Sequence, residues 1–237
     1  MRKINKLNYL EFKNLIGQSK LISDPMFCKY FYRPLSFPMG WLIYKLGVKA
    51  NYVSLFSVLL TLIAFIVIIF GNNESILAAS CLMMLVALSD CIDGNVARAR
   101  NETGPGGEWM DAFSGYTVYA LLPFGLGIHM FLNNPNQNLP GLWIILGSLT
   151  SILNLYLRLL YQKFVNCRLE KATKKKIKRE GSIFSKLSGE MGLVGWMMPM
   201  LLFAELTNIL WFYISFYCFF YIISAIVTSI LLVIKLP

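Results

Sequence analysis

Four long stretches of this chain carry no charged side chain, and they cover residues 52–70, 75–89, 112–157 and 206–234. A helix that crosses the hydrocarbon core of a bilayer needs about 20 mainly apolar residues. The composition, 57% hydrophobic and only 14% charged, excludes an ordinary soluble globular domain. The chain is therefore predicted to be an all-α, polytopic membrane protein.

The stretch at 112–157 is too long for one span, and the polar, proline-containing segment at 133–141 divides it into two helices. This division predicts six transmembrane helices in total. The fifth is the weakest of them, because three glycines and Pro199 interrupt it. The predicted bounds are 50–71, 76–98, 107–132, 140–164, 190–206 and 208–234.

The distribution of cations orients the predicted helices. All 22 Lys and Arg residues fall on one side of the six-span arrangement, whereas the turns near 72–75, 133–139 and 206–209 contain none. Loops rich in Lys and Arg stay in the cytoplasm. Both termini are therefore predicted to be cytoplasmic, in a bacterial inner membrane. The net charge of +10 follows from this topology and from contact with anionic membrane lipids, so no nucleic-acid partner is expected.

The distribution of charged and apolar residues divides the chain into two regions. Residues 1–49 are predicted to form a cytoplasmic or interfacial segment, because 1–24 alternates basic and apolar residues like an amphipathic helix at a membrane surface. Residues 50–237 form the six-helix transmembrane domain, with a basic cytoplasmic loop at 163–188. That loop is interpreted as a solvated or lipid-contacting surface, or as a source of cations for an anionic substrate.

Three carboxylates, Asp90, Asp93 and Asp111, lie at the ends of the second and third predicted spans. Ionised groups at membrane depth are costly and usually mark function. Asp90 and Asp93 share one helix face, and Asp111 belongs to the next helix. Carboxylates on neighbouring helices could hold a hard cation such as Mg²⁺ or Mn²⁺. The alternative is that they only form ion pairs with Arg98 and Arg100.

The motif around these acids resembles a known family. The pattern D-x-x-D-G-x-x-A-R, then eight residues, then G-x-x-x-D is similar to the signature of the CDP-alcohol phosphotransferase (phosphatidyltransferase) family of membrane enzymes. The segment K-A-N-Y-V-S-L at 49–55 also resembles a conserved region of that family, with Ala50 in place of proline. One position departs from the signature, because the family's last aspartate is Gly115 here. The matching residues are Asp90, Asp93, Gly94, Ala97, Arg98, Gly107 and Asp111.

The resemblance implies a metal-dependent transfer of a phospho-alcohol group from a CDP-linked donor to a lipid or alcohol acceptor, with release of CMP. Its metal ligands would be Asp90, Asp93 and Asp111, which would hold Mg²⁺ or Mn²⁺, two ions in the family. Arg98 would support the site electrostatically, and the resemblance also implies a homodimer. The substrate-binding positions would be Gly94, Ala97, Arg98 and Gly107, to which we add Arg158, a cation that follows an uncharged run in its helix.

Gly115 leaves three interpretations open, because the family's aspartate at this position is the general base for the acceptor alcohol. In the first, Glu108 replaces it, about 10 Å nearer the cytoplasm on the same helix face, or Glu102 does so from the adjoining turn. In the second, a sugar phosphate passes from a nucleotide sugar to a lipid phosphate, which is already anionic and needs no base. In the third, the chain is a non-catalytic relative that binds nucleotide or lipid. The first two place the protein in lipid or cell-envelope glycan synthesis.

Overall fold

A computed structural model of the protein describes residues 7–15, 24–133, 139, 141–171 and 183–234. Within these residues every regular element is helical, which confirms the predicted all-α class. The helices are α1 (residues 9–15), a π-helical turn (Cys28–Tyr32) that continues into α2 (Arg33–Lys45), α3 (Ala50–Phe70), α4 (Asn73–Arg100), α5 (Pro105–Asn133), α6 (Gly141–Lys171), α7 (Ile183–Glu190), a second π-helical turn (Leu193–Met197), α8 (Met198–Leu206) and α9 (Leu210–Ile234).

Six segments of this structure have the length and the apolar composition that a bilayer crossing requires. Five of them coincide with α3, α4, α5, α6 and α9. The remaining one, Lys186–Leu206, combines α7, the second π-helical turn and α8. The predicted set of six spans is therefore confirmed, with bounds that shift by a few residues at most of the ends.

The largest shift is at α6, which was predicted to end at residue 164 and continues to Lys171. The added turns consist mainly of good helix formers, so the helix continues after the apolar run has ended. The fifth span is irregular, as its glycines predicted. Gly195 has a non-helical backbone, and a Cβ atom there would collide with the carbonyl of Glu190.

The helices pack closely where small residues face each other. Gly127 of α5 lies against Gly147 of α6, and a Cβ atom added to Gly127 would sit only 3.1 Å from the Cα atom of Gly147. Small residues allow such close approach of backbones in membrane proteins. Helix α3 packs on α4 and α5, and α9 packs on α6 and α8. The bundle therefore surrounds one continuous apolar core.

The N-terminal segment is folded onto the bundle. Helix α1 begins with a reciprocal cap, in which the backbone N–H groups of Asn8 and Glu11 each donate to the other's side chain over 2.8 Å. Phe12 is fully buried against Phe37 and Tyr44 of α2. Residues 1–6 and 16–23 of the predicted interfacial helix lie outside the described residues, as does 172–182 of the predicted basic loop.

Helix α2 is docked along α4, the helix that carries two of the acids. The Tyr32 hydroxyl donates to the Met84 sulfur over 3.1 Å, and burial raises the pKa of this hydroxyl. Arg100 donates over 3.1 Å to the carbonyl of Tyr44, in the last turn of α2, where helical carbonyls lack partners. These contacts bring the N-terminal segment to the end of the bundle that carries the acidic motif.

Candidate functional site

A cavity of about 720 Å³ lies where the start of α3, the end of α4 and the start of α5 meet. The N-terminal segment and the second π-helical turn complete its walls. The lining residues are Asp24, Cys28, Arg33, Ala50, Asn51, Ser54, Asp90, Cys91, Asp93, Gly94, Ala97, Arg98, Glu102, Thr103, Gly104, Gly107, Glu108, Asp111 and Val194.

All three predicted metal ligands line this cavity. Asp90 and Asp93 come from α4, Asp93 is buried, and the more exposed Asp111 comes from α5. The charges of Asp90 and Asp111 both act on Asp93. Ser54 of α3 donates to Asp93 Oδ2 over 2.6 Å, which fixes the orientation of this carboxylate. The sequence pattern thus predicts that the acids lie together, but it did not identify Ser54 as the partner of Asp93.

These oxygen ligands suit a hard cation whose coordination shell is completed by the substrate. Within the part of the chain that the structure describes, no three Asp, Glu, His or Cys side chains are grouped closely enough to hold an ion by themselves. Mg²⁺ commonly takes only one or two carboxylates, together with water and substrate phosphates. Oxygen ligands on the walls of an open cavity, rather than in a closed cage, fit that kind of binding.

Arg98 lines the cavity, and its side-chain hydrogen bond among the described residues goes to an amide rather than to a carboxylate. Its guanidinium lies over Gly94, with its terminal nitrogens 3.2 and 3.3 Å from where a Cβ atom of residue 94 would be. It donates to Asn95 Oδ1 over 2.9 Å, and among the described residues it forms no ion pair with an acid. Arg100 contacts Tyr44 instead. Gly94 therefore makes room for Arg98, in addition to the space for nucleotide that the resemblance implies.

A buried polar network behind Arg98 was not anticipated from the sequence. Asn95 is fully buried, and its Oδ1 also accepts from Arg33 over 2.7 Å. Arg33 in turn forms an ion pair with Asp24. Burial alone would lower the pKa of Arg33, but the hydrogen bond to Asp24 and the nearby negative charge raise it. The sequence signal for this network is the amide of Asn95, because a buried polar residue inside an apolar span needs hydrogen-bond partners.

Both candidate replacements for the missing base lie in this cavity. Glu108 and Glu102 line it together with Gly107 and Asp111. Gly115 is buried and does not line it. A Cβ atom added to Gly115 would meet Tyr119 Cε2 at 3.9 Å, which is an ordinary van der Waals contact. The backbone at this position therefore has room for a Cβ atom.

Arg158 lies apart from the cavity that holds the other predicted site residues. Its guanidinium carbon is 3.7 Å from the centroid of the Tyr119 ring, and Nε donates to Asn154 Oδ1 over 3.4 Å. Asn154 is buried, and its side chain also interacts with the hydroxyl of Tyr221. Tyr119 joins this cluster to the second π-helical turn, because its hydroxyl accepts from the N–H of Leu193 over 2.9 Å.

Comparison with known protein families gives a match over residues 48–228, and the matching family is CDP-alcohol phosphatidyltransferase. No curated protein matches the chain. The matched region contains all six spans, almost to the end of α9, and every acid of the motif. The chain is therefore an integral membrane protein that belongs to the CDP-alcohol phosphatidyltransferase family.

Proposed function

We propose that the protein is a metal-dependent transferase that moves a phospho-alcohol group from a CDP-linked donor to an alcohol or lipid acceptor, with release of CMP. One observation carries this proposal. Residues from three different helix ends, including the whole matching part of the family signature, line a single cavity. These signature residues are Asp90, Asp93, Gly94, Ala97, Arg98, Gly107 and Asp111.

The residues of the cavity suggest how the reaction proceeds. Bound Mg²⁺ or Mn²⁺, held by Asp90, Asp93 and Asp111, would neutralise the donor's diphosphate. The acceptor oxygen attacks the phosphorus that bears the alcohol, and the bond from that phosphorus to the bridging oxygen of CMP breaks. Glu108 takes the proton of the acceptor hydroxyl. Gly94, Ala97 and Gly107 border the donor, and Arg98 adds positive charge near the leaving group.

A second candidate function is favoured by the surroundings of Gly115. This position is one helical turn from Tyr119, on which Arg158 stacks, and Arg158 donates to Asn154. Without a carboxylate at Gly115, the positive charge of Arg158 suits an anionic group. Sugar-phosphate transfer from a nucleotide sugar to a lipid phosphate would need no general base, because the acceptor is already ionised at neutral pH.

The orientation in the membrane belongs to this proposal. The cavity lies at the end of the bundle from which the Lys- and Arg-rich N-terminal segment leaves, so we place it and both termini in the cytoplasm, where a soluble nucleotide is found. Residues 50–237 would be the catalytic domain, acting within a homodimer in a bacterial inner membrane. Labelling of a cysteine introduced near either terminus, from inside and outside intact cells, checks the orientation.

Nucleotide release from the purified protein tests the proposal. With Mg²⁺ or Mn²⁺, a CDP-alcohol and a hydroxylated acceptor, we expect CMP to form, and we expect Asp93→Asn to abolish this. Nucleotide release only with a lipid phosphate, and not with its dephosphorylated alcohol, would favour the second function. Binding without turnover of any donor in a broad panel would overturn both and support the non-catalytic interpretation.

A further inference from the structure

Asn95 makes every hydrogen bond that its side chain is capable of. Its Oδ1 accepts from Arg33 over 2.7 Å and from Arg98 over 2.9 Å. Its Nδ2 donates to the hydroxyl and the carbonyl of Ser36, over 3.0 and 3.4 Å. An amide group has two acceptor sites and two donors, so this side chain is saturated. Because Asn95, Arg33 and Ser36 are all buried, these hydrogen bonds hold the amide in one geometry.

The position of this amide decides where the Arg98 guanidinium lies. Asn95 follows Gly94 on α4, and the guanidinium lies 3.2–3.3 Å from where a Cβ atom of residue 94 would be. Arg98 remains within electrostatic reach of Asp93 and Asp24, and it is also repelled by Arg33. A guanidinium pairs strongly with any carboxylate that it can reach, often through two parallel hydrogen bonds. Nevertheless, Arg98 makes its hydrogen bond to the neutral amide.

We propose that Asn95 is a positioning residue that keeps Arg98 away from the acids of the motif, so that Asp93 stays available for a divalent cation. The inference rests on the proposed metal-dependent function. Ser54 binds one oxygen of Asp93, and the guanidinium is turned toward Oδ1 of Asn95. The positive charge of Arg98 thereby stays at the wall of the cavity, and no oxygen of Asp93 is used to bind it.

The N-terminal segment helps to hold Asn95 and Arg98 in these positions. Arg33 reaches Asn95 from α2, and Asp24 fixes Arg33 through an ion pair between side chains that are almost fully buried. Ser36 of α2 holds the other end of the amide. The metal-binding acids of α4 thus depend on a helix that lies outside the region matched by the family, since that match begins at residue 48.

Removing the amide tests the inference through metal binding rather than turnover. Titration of the full-length protein with Mn²⁺, followed by electron paramagnetic resonance of the free ion, gives the affinity. In Asn95→Ala the freed Arg98 pairs with Asp93 and competes with the cation, so we expect the Mn²⁺ affinity to fall by about tenfold, the usual cost of losing a residue that orients metal ligands.

A double-mutant cycle assigns the effect to Arg98. In the Arg98→Ala background, adding Asn95→Ala should cause no further loss of Mn²⁺ affinity, because no guanidinium remains to compete. Equal affinity in the wild type and Asn95→Ala would overturn the inference, and so would an equal loss with and without Arg98, which would mean that Asn95 acts only through the fold. If the wild-type protein takes up no Mn²⁺, the proposed function fails together with this inference.

A milder variant covers the case in which Asn95→Ala does not fold. Ser36→Ala removes one acceptor of the Asn95 amide and leaves the other, so the amide loosens without losing its arginines. We expect a smaller loss of Mn²⁺ affinity that again disappears in the Arg98→Ala background. A folded Ser36→Ala protein with wild-type affinity, beside an unfolded Asn95→Ala, would count against the inference.

Discussion

At the scale of single residues, the site depends on how each acid is oriented. Asp93 is held by the Ser54 hydroxyl over 2.6 Å, whereas Ser57, one turn along α3, pairs with Ser114 over 3.2 Å. The two serines are both buried and lie on the same helix. They therefore form a matched pair in which only one touches the acidic motif.

We expect Ser54→Ala to reduce metal-dependent turnover by about tenfold or more, because groups that orient metal ligands commonly contribute that much. Ser54→Thr, which keeps a hydroxyl, should restore much of the activity. The control Ser57→Ala should lower thermal stability and leave the metal concentration at half-maximal rate unchanged. The rate as a function of Mg²⁺ concentration measures these effects. Equal metal dependence in Ser54→Ala and Ser57→Ala would contradict the assigned role of Ser54.

The second residue-scale prediction concerns Gly115. An added Cβ atom meets only Tyr119 at an ordinary distance, so the first side-chain atom of Gly115→Asp causes no clash. If the proposed transfer to an alcohol is correct, we expect the new carboxylate to supply a base and to raise CMP release with alcohol acceptors. Gly115→Ala, which adds the methyl group without the charge, should show no gain. Loss of native activity in Gly115→Asp, with no gain for alcohols, would instead favour the phosphate acceptor.

At the scale of helices, a carboxylate holds the N-terminal segment to the fifth span, beside the contact between the rings of Phe27 and Trp196. Both oxygens of Glu190 accept from the N–H of Met26, over 3.0 and 2.9 Å, where the helical segment before α2 begins. A negative charge at a helix N-terminus is favourable. Cys28, two residues further on, is buried and lines the cavity. Labelling of this thiol therefore reports whether the segment is docked.

We expect Glu190→Ala to expose Cys28 and to speed its reaction with a maleimide, because a charge-assisted hydrogen bond contributes about 1.5–3 kcal/mol. The measurement uses a background in which the exposed Cys81 and Cys167 are replaced by serine. Glu205→Gln, at the other end of the same span, is the control and should leave the rate unchanged. Unaltered protection of Cys28 in Glu190→Ala would show that this contact does not hold the segment.

The helices illustrate what the sequence could predict. Hydropathy and charge predicted all six spans. Helical spacing predicted that Asp90, Asp93 and Asp111 lie close together, because these signals are local and periodic. The partners of Asn95 could not be found in this way. Arg33 lies 62 residues away along the chain, and nothing in the spacing of a single sequence relates the two. Arg158 was grouped with the substrate by its charge, whereas its contacts are with Tyr119 and Asn154.

At the scale of the whole molecule, the cavity is lined by residues from inside and from outside the region that the family matches. The family match begins at residue 48, yet Asp24, Cys28 and Arg33 line the same cavity as the acidic motif. The transmembrane bundle supplies the acids, and the N-terminal segment supplies a wall and the arginine that reaches Asn95. We therefore expect the N-terminal segment to influence binding in the cavity.

The most direct test of the account is a structure of the protein with a CDP-alcohol and Mn²⁺ bound. The anomalous signal of manganese would locate the ion independently of the protein atoms. We predict manganese among Asp90, Asp93 and Asp111, with the donor's diphosphate in contact with it and the Arg98 guanidinium still bound to Asn95. Manganese and diphosphate elsewhere in the molecule, with these three carboxylates directed away from both, would contradict the account.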